Sequence, residues 1–472
     1  VEETGLSHRD GSRSKNFFAL GVVDWLFVRS LQQTQDWISA KFKNKADVAK
    51  ANTLALQAGY NYAITIELFQ ERYHVPSAVL PSGEYRQITG NQALALGCVA
   101  ASNRSGLSLL YSSYPITPAS DILHELAQYK NFNIKTIQAE DEIAAMSSSI
   151  GSAFGGVLAV TGTSGPGLDL KSEALGYAVM TELPVVLLNV QRGGPSTGLP
   201  TKAEQTDLLA AMYGRHGEAP VPILAPATPG DCFFMVLEAF RIALKYMTPV
   251  IVLSDGGLAN ASEPWKIPDV DQLPDLTPVF HTDPENFSPY HRNQQTLARN
   301  WAVPGTPGLE HRIGGLEKDS ESGEINYEPE NHEKMVLLRD QKIKRIVQDL
   351  PPLEIIGAEK NELLVLTWGS VFGPAFSAIE ELQAEGHAVS MLHLRHLFPF
   401  QQELGQTLRN FEKVLVPEMN LGQLSRLLRA EYLVDTISFS KLQGRPFLIS
   451  EIRNRVLEIL GESGKTIPCR ES

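Results

Sequence analysis

The sequence predicts a multidomain α/β protein, in which a mostly parallel sheet with helices on both faces is followed by a smaller α/β domain. Short apolar strand patterns alternate with helical patterns between residues 107 and 257. Alternation of this kind requires crossover connections, which produce a parallel sheet covered on both sides. The strand, loop and helix scheme returns after residue 361. With 472 residues, the chain is also too long for a single core.

Composition excludes several classes of function. The net charge of −13 argues against a nucleic-acid partner, because binding to a phosphate backbone needs a concentrated basic surface. No apolar run is long enough to span a bilayer. The cysteines Cys98, Cys232 and Cys469 lie far apart, without a CxxC pair for a metal or cluster. We therefore expect a protein of the reducing cytoplasm that binds neither nucleic acid nor membrane.

The chain divides into four predicted segments. Residues 1–75 contain two amphipathic helical patterns, which look like the tail of a domain whose earlier part is absent. Residues 76–260 hold the main alternation of strands and helices, with Ser120 as the predicted N-cap of one helix. Residues 261–350 are Pro-rich and then acidic, which predicts a linker with an exposed excursion before a helix at 333–350. Residues 351–472 form the smaller α/β domain.

Three consecutive acids, Glu140, Asp141 and Glu142, open a predicted helix. Acids at this place are favoured by the helix dipole, so a capping role is a sufficient explanation for them. Only Glu142 heads a small, largely apolar stripe at helical spacing, formed by Ala145, Met146, Ser149, Ile150 and Ala153. A carboxylate at the head of a buried stripe can hold or share a proton, so a catalytic role stays open beside the capping role.

Two loops at strand ends could bind an anion. The turn TSGPGL at 163–168 has the arrangement of an anion-binding helix N-terminus, although a tight βα turn explains it better. Arg192 directly follows a strand, at the carboxyl edge where open parallel sheets bind ligands. Its guanidinium suits a carboxylate. The hydroxyls that follow it belong to Ser196, Thr197 and Thr201.

No metal site is predicted in this chain. Asp255 and Asn260 of SDGGLAN could contact Mg²⁺, but a strand-terminating turn explains the glycines equally well and is preferred. The sequence also lacks HExxH and GxSxG patterns. The loops at 367–373 and 417–423 place glycine and polar residues at helix starts, where each could touch an anionic cofactor or be a plain turn.

Four motifs in this order resemble the alpha subunit of 2-oxoacid:ferredoxin oxidoreductases, particularly the 2-oxoglutarate type. They are YPITPAS (114–120), QAEDEIAA (138–145), GTSGPG (162–167) and QRGGPSTGLPT (191–201). The resemblance covers about residues 16–472, and residues 1–75 resemble the end of a gamma-type domain that some members fuse in front. It implies a pyrimidine-binding domain for thiamine diphosphate, followed by a domain of the transketolase C-terminal type. A separate beta subunit is implied to carry the Mg²⁺ and diphosphate site and a [4Fe-4S] cluster.

The resemblance also implies roles for individual residues. Glu142 would hydrogen-bond the cofactor's aminopyrimidine, since Gly151 follows nine residues later as in thiamine enzymes, and Glu140 is its rival. Thr117 would lie beside the thiazolium and substrate, with Tyr114 and Ser113 nearby. The residues implied to bind the substrate carboxylate are Arg192 and Thr201. A second cation for the distal carboxylate of 2-oxoglutarate could be Lys202, Arg215 or His216.

The implied activity is oxidative decarboxylation of 2-oxoglutarate with coenzyme A to succinyl-CoA, or its reverse, with ferredoxin as the electron carrier. We expect the chain to act only with its beta subunit, as a dimer of alpha–beta heterodimers. Two alternatives stay open. One is the same chemistry on pyruvate, indolepyruvate or branched-chain 2-oxoacids, and the other is a non-catalytic binding module on a degenerate thiamine fold.

Overall fold

The structure is a computed structural model that describes residues 5–69 and 71–461. The chain separates into two compact units, with the division after Gly83, and each is described by itself. Cys469, one of the three cysteines considered above, lies outside the described residues.

The first unit is helical. Its helices are Lys15–Leu26, Leu31–Lys41 and Ala46–Thr65, preceded by short turns at His8–Gly11 and Ser12–Ser14. The first and third of these helices pack backbone to backbone through glycines. A Cβ at Gly21 would lie 2.0 Å from the carbonyl oxygen of Leu56, and one at Gly59 would lie 1.9 Å from that of Phe18. Any larger residue would force these two helices apart.

The second unit is built on a seven-stranded sheet, which confirms the predicted fold class. Six of its strands are parallel and come from the first half of the unit, and the seventh pairs antiparallel at one edge. In order across the sheet, the strands are His396–Phe398, Ile223–Leu224, Val250–Asp255, Val185–Gln191, Leu158–Thr163, Leu109–Ser113 and Ile134–Gln138. The edge strand His396–Phe398 comes from the C-terminal part of the chain, so the two α/β regions share this sheet.

Helices cover both faces of this sheet. Along the strand Val185–Gln191, Val186, Leu188 and Val190 enter one apolar core, whereas Val185 and Leu187 enter another. Successive side chains of a strand point to opposite faces, so the two cores lie on opposite sides of the sheet. The helices of this region are Gly90–Ser105, Ser120–Leu126, Glu142–Phe154, Pro166–Leu170, Ser172–Thr181, Leu208–Tyr213, Asp231–Tyr246 and Gly256–Asn260.

The helix predicted to be capped by Ser120 is not capped in that way. Ala119 occupies the N-cap position and makes no side-chain cap. Ser120 is already inside the helix, and its hydroxyl accepts from the amide of Ile116 at 2.8 Å and donates to the carbonyl of Ile116 at 3.0 Å. The Ser120 hydroxyl therefore stabilises the turn that precedes the helix, because both of its bonds are to the main chain of Ile116.

Residues 261–350, predicted to be a linker with an exposed excursion, are exposed only in part. The strand Ser262–Lys266 pairs antiparallel with Tyr85–Thr89, and Val270–Gln272 is a short 3-10 turn. Regular structure is otherwise absent until the helix Pro329–Arg345, which begins four residues before the predicted start and runs into the 3-10 turn Ile346–Asp349.

Within this segment, Tyr290, Trp301, Arg292, Arg299 and Lys318 are buried. These isolated residues pack against the main domain without helical or strand period. Hydrophobic periodicity in the sequence therefore could not predict that these residues are buried.

A second, five-stranded sheet forms the smaller α/β region. Its strands in order are Thr436–Ser440, Phe411–Glu418, Asn361–Trp368, Val389–Leu394 and Ile355–Ile356, and only the last is antiparallel to its neighbour. Its helices are Gly369–Val371 (3-10), Phe372–Ala384, Leu404–Arg409, Gln423–Tyr432 and Ile449–Ile459. Among the residues that the structure describes, no helix is long and apolar enough to cross a membrane.

Candidate functional site

The three consecutive acids have different surroundings. Asp141 is the N-cap of the helix Glu142–Phe154, and its Oδ1 accepts the amide of Ala144 at 2.8 Å. Glu140 is exposed in the preceding loop, whereas Glu142 is half-buried at the first position of the helix. All five predicted stripe residues of this helix are buried. Since Asp141 satisfies the cap, the carboxylate of Glu142 is left for another role.

The carboxylate of Glu142 meets Tyr114 and Thr163 around Gly167. A Cβ at Gly167 would lie 2.0 Å from the Tyr114 hydroxyl, 2.3 Å from Thr163 Oγ1 and 3.2 Å from Glu142 Oε1. Tyr114 and Thr163 are hydrogen-bonded to each other at 2.7 Å. Burial raises the pKa of the Tyr114 phenol, and Glu142 adds to that increase against the opposing bond to Thr163. The phenol therefore stays protonated beside the carboxylate.

The turn TSGPGL makes this close approach possible. It leads into a helix of only five residues, Pro166–Leu170, and Gly165 before it has a φ of +47°. A Cβ at Gly165 would lie 3.3 Å from Cγ of Arg192. The positive φ and the packing on Arg192 support the tight-turn role that the sequence favoured over an anion site.

Arg192 and Thr117 are brought together from two different loops. Arg192 is only 6% exposed, and its Nη1 donates to the main-chain oxygen of Thr117 at 2.6 Å. Its Nε is buried without a hydrogen-bond partner among the described residues. Ser113 is buried at the end of its strand and its hydroxyl donates to the carbonyl of Gly162 at 3.3 Å. Arg192 thus has unused donor capacity next to a loop that carries the exposed Thr117.

The three predicted hydroxyl residues lie on an exposed loop beside Arg192. The loop is closed by an antiparallel bridge between Gly193 and Leu199, and the amide of Gly193 donates to the carbonyl of Lys202 at 3.0 Å. No hydrogen bond joins this loop's hydroxyls to Arg192 within the described chain. Those hydroxyls belong to Ser196, Thr197 and Thr201.

The cations considered for a distal carboxylate are placed very differently. Arg215 donates to main-chain oxygens, those of Ala211 at 2.6 Å, Met212 at 2.9 Å and Ala219 at 3.0 Å. These bonds hold its guanidinium at the end of its own helix and leave little donor capacity for a substrate. His216 lines a separate groove with Tyr177. Lys202 belongs to the loop that follows Arg192, and its main-chain oxygen accepts the amide of Gly193 at 3.0 Å.

Sequence reasoning missed two charged residues near this site. Lys171 is fully buried, and its Nζ donates to the carbonyl of Glu142 at 3.1 Å and to Thr161 Oγ1 at 2.9 Å. Asp207 accepts from Asn189 at 2.9 Å, and burial raises its pKa to about 6 against that bond. The sequence signal for Lys171 was a lysine among the apolar positions that follow TSGPGL. A single residue does not form a pattern, so the sequence could not predict that this lysine is buried.

Asp255 caps the turn that ends its strand, which is the role that the sequence favoured for it. Its Oδ1 accepts the amides of Gly257 at 2.7 Å and Leu258 at 3.2 Å, and its Oδ2 accepts the amide of Ser370 at 3.3 Å. Asn260 donates to the carbonyl of Gly256 at 2.9 Å. Within residues 5–69 and 71–461, no group of three or more His, Cys, Asp or Glu side chains could hold a metal ion.

The loop at 417–423 is already filled by a carboxylate of this chain. Glu418 is fully buried and accepts the amides of Leu424 at 2.8 Å and Ser425 at 3.1 Å, which begin the next helix. Trp368 also donates to it, at 3.2 Å. These bonds favour the plain-turn role for this loop, because Glu418 already satisfies those donors.

Comparisons with known proteins give consistent results. Residues 106–329 match the family model for the pyruvate flavodoxin/ferredoxin oxidoreductase thiamine diphosphate-binding domain. Residues 361–452 match the model for pyruvate:ferredoxin oxidoreductase core domain II.

Individual proteins are also similar. The 2-oxoglutarate oxidoreductase subunit KorA of Mycobacterium tuberculosis is 53% identical over 479 residues, which cover 100% of this chain and 73% of the relative. A 2-oxoacid:ferredoxin oxidoreductase alpha subunit of Aeropyrum pernix is 32% identical over 98% of this chain and 73% of its own length. The solved 2-oxoglutarate:ferredoxin oxidoreductase of Magnetococcus marinus, with 2-oxoglutarate, coenzyme A and succinyl-CoA bound, has a TM-score of 0.87 and 35% identity. That match covers 95% of this chain and 78% of the solved chain.

Proposed function

The chain belongs to the family of 2-oxoacid:ferredoxin oxidoreductase alpha subunits, and on this premise we propose that it decarboxylates 2-oxoglutarate oxidatively together with a beta subunit. Coenzyme A takes the acyl group as succinyl-CoA and ferredoxin takes the electrons. The observation that carries the proposal is the convergence of Glu142, Tyr114 and Arg192 at the carboxyl edge of the main sheet. The substrate follows the relatives whose names specify 2-oxoglutarate.

The residues at this edge fit thiamine diphosphate. Glu142 has a carboxylate that its helix does not use, while Arg192 Nε and Ser164 Oγ are buried polar atoms without partners in the described chain. Glu142 would hold the aminopyrimidine, with Tyr114, Ser113 and Thr117 beside it and Glu140 too exposed to compete. When bound, the cofactor supplies a carbon nucleophile for the 2-oxo group.

The chain's own residues supply the proton and the orientation. Glu142 is placed to hold a proton at a carboxylate oxygen, and the neutral Tyr114 phenol keeps a second hydrogen bond beside it. Arg192, held by the carbonyl of Thr117, binds the C1 carboxylate of the substrate through its free N–H groups. The loop hydroxyls of Ser196, Thr197 and Thr201 would complete that carboxylate site.

Lys202 is the proposed partner of the distal carboxylate. It belongs to the loop that follows Arg192, where its main-chain oxygen accepts the amide of Gly193, whereas the described bonds of Arg215 go to main-chain carbonyls. A cation near the end of an extended dicarboxylate favours 2-oxoglutarate over pyruvate, which has no second charge.

The remaining parts of the enzyme are assigned to a beta subunit. We place the [4Fe-4S] cluster there because Cys98 and Cys232 of this chain are buried free thiols that lie far apart in sequence. We place the Mg²⁺ there because the oxygen ligands considered in this chain, Asp255 and Asn260, are hydrogen-bonded within their own turn. The proposed assembly is a dimer of alpha–beta heterodimers in the cytoplasm. Residues 76–260 are the proposed pyrimidine-binding domain, 261–350 its connection to the transketolase-like domain at 351–472, and 1–75 the remnant of a gamma-type domain.

Substrate choice tests the proposed function. The chain is reconstituted with its beta subunit, thiamine diphosphate, Mg²⁺ and coenzyme A, and ferredoxin reduction is measured with several 2-oxoacids. We expect kcat/KM for 2-oxoglutarate to exceed that for pyruvate, indolepyruvate and a branched-chain 2-oxoacid by about tenfold or more. A preference for pyruvate would refute the substrate, and no turnover with any of them would favour the binding-module alternative.

The Lys202→Ala variant tests the distal site separately. It should lower kcat/KM for 2-oxoglutarate by about tenfold while leaving the value for pyruvate within about twofold. Equal losses with both substrates would contradict the role of Lys202.

A further inference from the structure

Among the described residues, Lys171 is a buried lysine without an ion-pair partner, and it lies beneath the proposed catalytic Glu142. It joins the helices Pro166–Leu170 and Ser172–Thr181 and is 0% exposed. Within the part of the chain that the structure describes, its Nζ donates to two neutral oxygens, the carbonyl of Glu142 and the hydroxyl of Thr161. The equally buried Lys342 differs, since its Nζ lies 2.6 Å from Oε2 of Glu182.

The charged and titratable groups that face Lys171 belong to the proposed site. Burial lowers the pKa of Lys171 to about 7, and Glu142 and Asp141 oppose that decrease through their negative charges. Nζ also lies 5.2 Å from the centre of the Tyr114 ring. Lys171 therefore interacts with the same two side chains, Glu142 and Tyr114, that converge on Gly167.

Packing alone does not account for an amine at this position. The neighbouring core residues Leu168 and Leu175 are apolar, and burial of an ammonium without an ion-pair partner is unfavourable. Replacing buried charged groups by well-packed apolar residues of similar volume is often neutral or stabilising. A methionine would fill the same space without this cost, so the amine points to a role beyond packing.

We propose that Lys171 is a positioning residue for the reaction, whose amino group fixes the first turn of the Glu142 helix and whose positive charge faces the Glu142 carboxylate. The inference rests on the proposed function, in which Glu142 contacts the aminopyrimidine. A nearby positive charge lowers the proton affinity of a carboxylate.

Two variants separate the hydrogen bond from the charge. Lys171→Met removes both, whereas Lys171→Gln keeps a donor for the carbonyl of Glu142 without the charge. In the complex with the beta subunit, both variants should move the acid limb of the kcat/KM profile upward, by about 0.5 to 1 pH unit. The pH dependence of the thiamine diphosphate dissociation constant, followed by intrinsic fluorescence, should move in the same direction. Lys171→Met should also lose about tenfold in kcat, and Lys171→Gln less.

Thermal unfolding of the cofactor-free complex gives a readout that does not depend on activity. The folded pKa of Lys171 lies near 7 and its ordinary value is 10.5, so the unfolded chain binds more protons between these pH values. This lysine therefore makes stability rise with pH over that window. In Lys171→Met, the increase in Tm between pH 7 and pH 9 should be smaller than in the wild type.

Lys318→Met is the matched control. Lys318 is a buried lysine that donates to the carbonyl of Met180 at 3.1 Å, and burial lowers its pKa to about 8. Its replacement should also reduce the rise of Tm with pH but leave the acid limb unmoved.

An unmoved acid limb in both Lys171 variants, with Glu142→Gln inactive, would overturn the inference and leave the proposed function standing. Full turnover in Glu142→Gln would instead overturn the proposed function, and this inference with it.

Discussion

At the scale of single residues, the helix cap decides which of the adjacent acids is available. Asp141 accepts the amide of Ala144, and this bond leaves Glu142 with a carboxylate that meets Tyr114 and Gly167. The sequence could distinguish Glu142 from Glu140 by the stripe behind it, which is buried as predicted. It could not show that Tyr114 would reach the same carboxylate, because that contact joins residues 28 positions apart through the sheet.

The same limit applies to the cations. Arg192 was proposed because it follows a strand, a local feature of the sequence. The hydrogen bonds of Arg215 to carbonyls of its own turn are also local, but a sequence pattern does not show where a long side chain bends. Lys171 was missed because burial of one lysine is decided by what packs around it.

Substitution of Arg192 should affect substrate binding more than folding. In Arg192→Lys the charge remains but the planar fork is lost, so KM for 2-oxoglutarate should rise by about tenfold or more. Steady-state kinetics of the complex measures this, with the exposed Arg426→Lys as the control expected to match the wild type. An unchanged KM in Arg192→Lys would remove Arg192 from the carboxylate site.

At the scale of elements, the five-residue helix Pro166–Leu170 packs closely against Tyr114, Thr163 and Glu142 through Gly167. The sequence predicted a tight turn here. It gave no indication of how closely three side chains would converge on Gly167, because that distance depends on two other strands.

Gly167→Ala should therefore disturb the site at small cost to the fold. Its Cβ would overlap the Tyr114 hydroxyl, so we expect Tyr114 and Glu142 to shift and turnover to fall by about tenfold or more. Gly176→Ala is the matched control, since its Cβ meets nothing within 4 Å in the next helix. That variant should gain up to about 1 kcal/mol in stability with unchanged turnover. Equal turnover in the two variants would contradict the close packing around Gly167.

The segment between the two α/β regions is held by a buried ion cluster around Glu182. Arg292 donates to both oxygens of Glu182, at 2.8 and 2.6 Å, and Lys342 donates to one at 2.6 Å. Burial alone would raise the pKa of Glu182, but Lys342 and Arg292 together hold it well below its ordinary value of 4.5. The predicted exposed linker is thus attached to the core by contacts between residues 110 and 160 positions apart.

Loss of this carboxylate should destabilise the protein. Glu182→Gln leaves two buried cations without a counter-charge, which should lower stability by on the order of 3 kcal/mol. Because the folded pKa of Glu182 is depressed, its contribution is complete above about pH 4.5 and is lost as the pH falls below that value. Thermal unfolding at pH 7 and pH 4 measures both effects, with the exposed Glu380→Gln as control. Wild-type stability in Glu182→Gln would contradict the anchoring role.

At the scale of the whole molecule, the alternation of strands and helices was enough to predict the fold class, because crossover connections follow from chain order. The strand His396–Phe398 was not predictable in the same way, since it joins the main sheet from the second α/β region. The resemblance based on four short motifs is confirmed by relatives that match nearly the whole chain. The motifs lie in the loops at the carboxyl edge, where the proposed half-site is.

The central claim is that Glu142 activates a cofactor shared with a beta subunit. The most direct measurement is 2-oxoglutarate-dependent reduction of ferredoxin by the reconstituted complex, in the wild type, in Glu142→Gln and in Glu140→Gln. The account predicts that Glu142→Gln lowers turnover by about 100-fold or more, while Glu140→Gln stays within about twofold of the wild type. Unchanged turnover in Glu142→Gln, or a loss confined to Glu140→Gln, would contradict it.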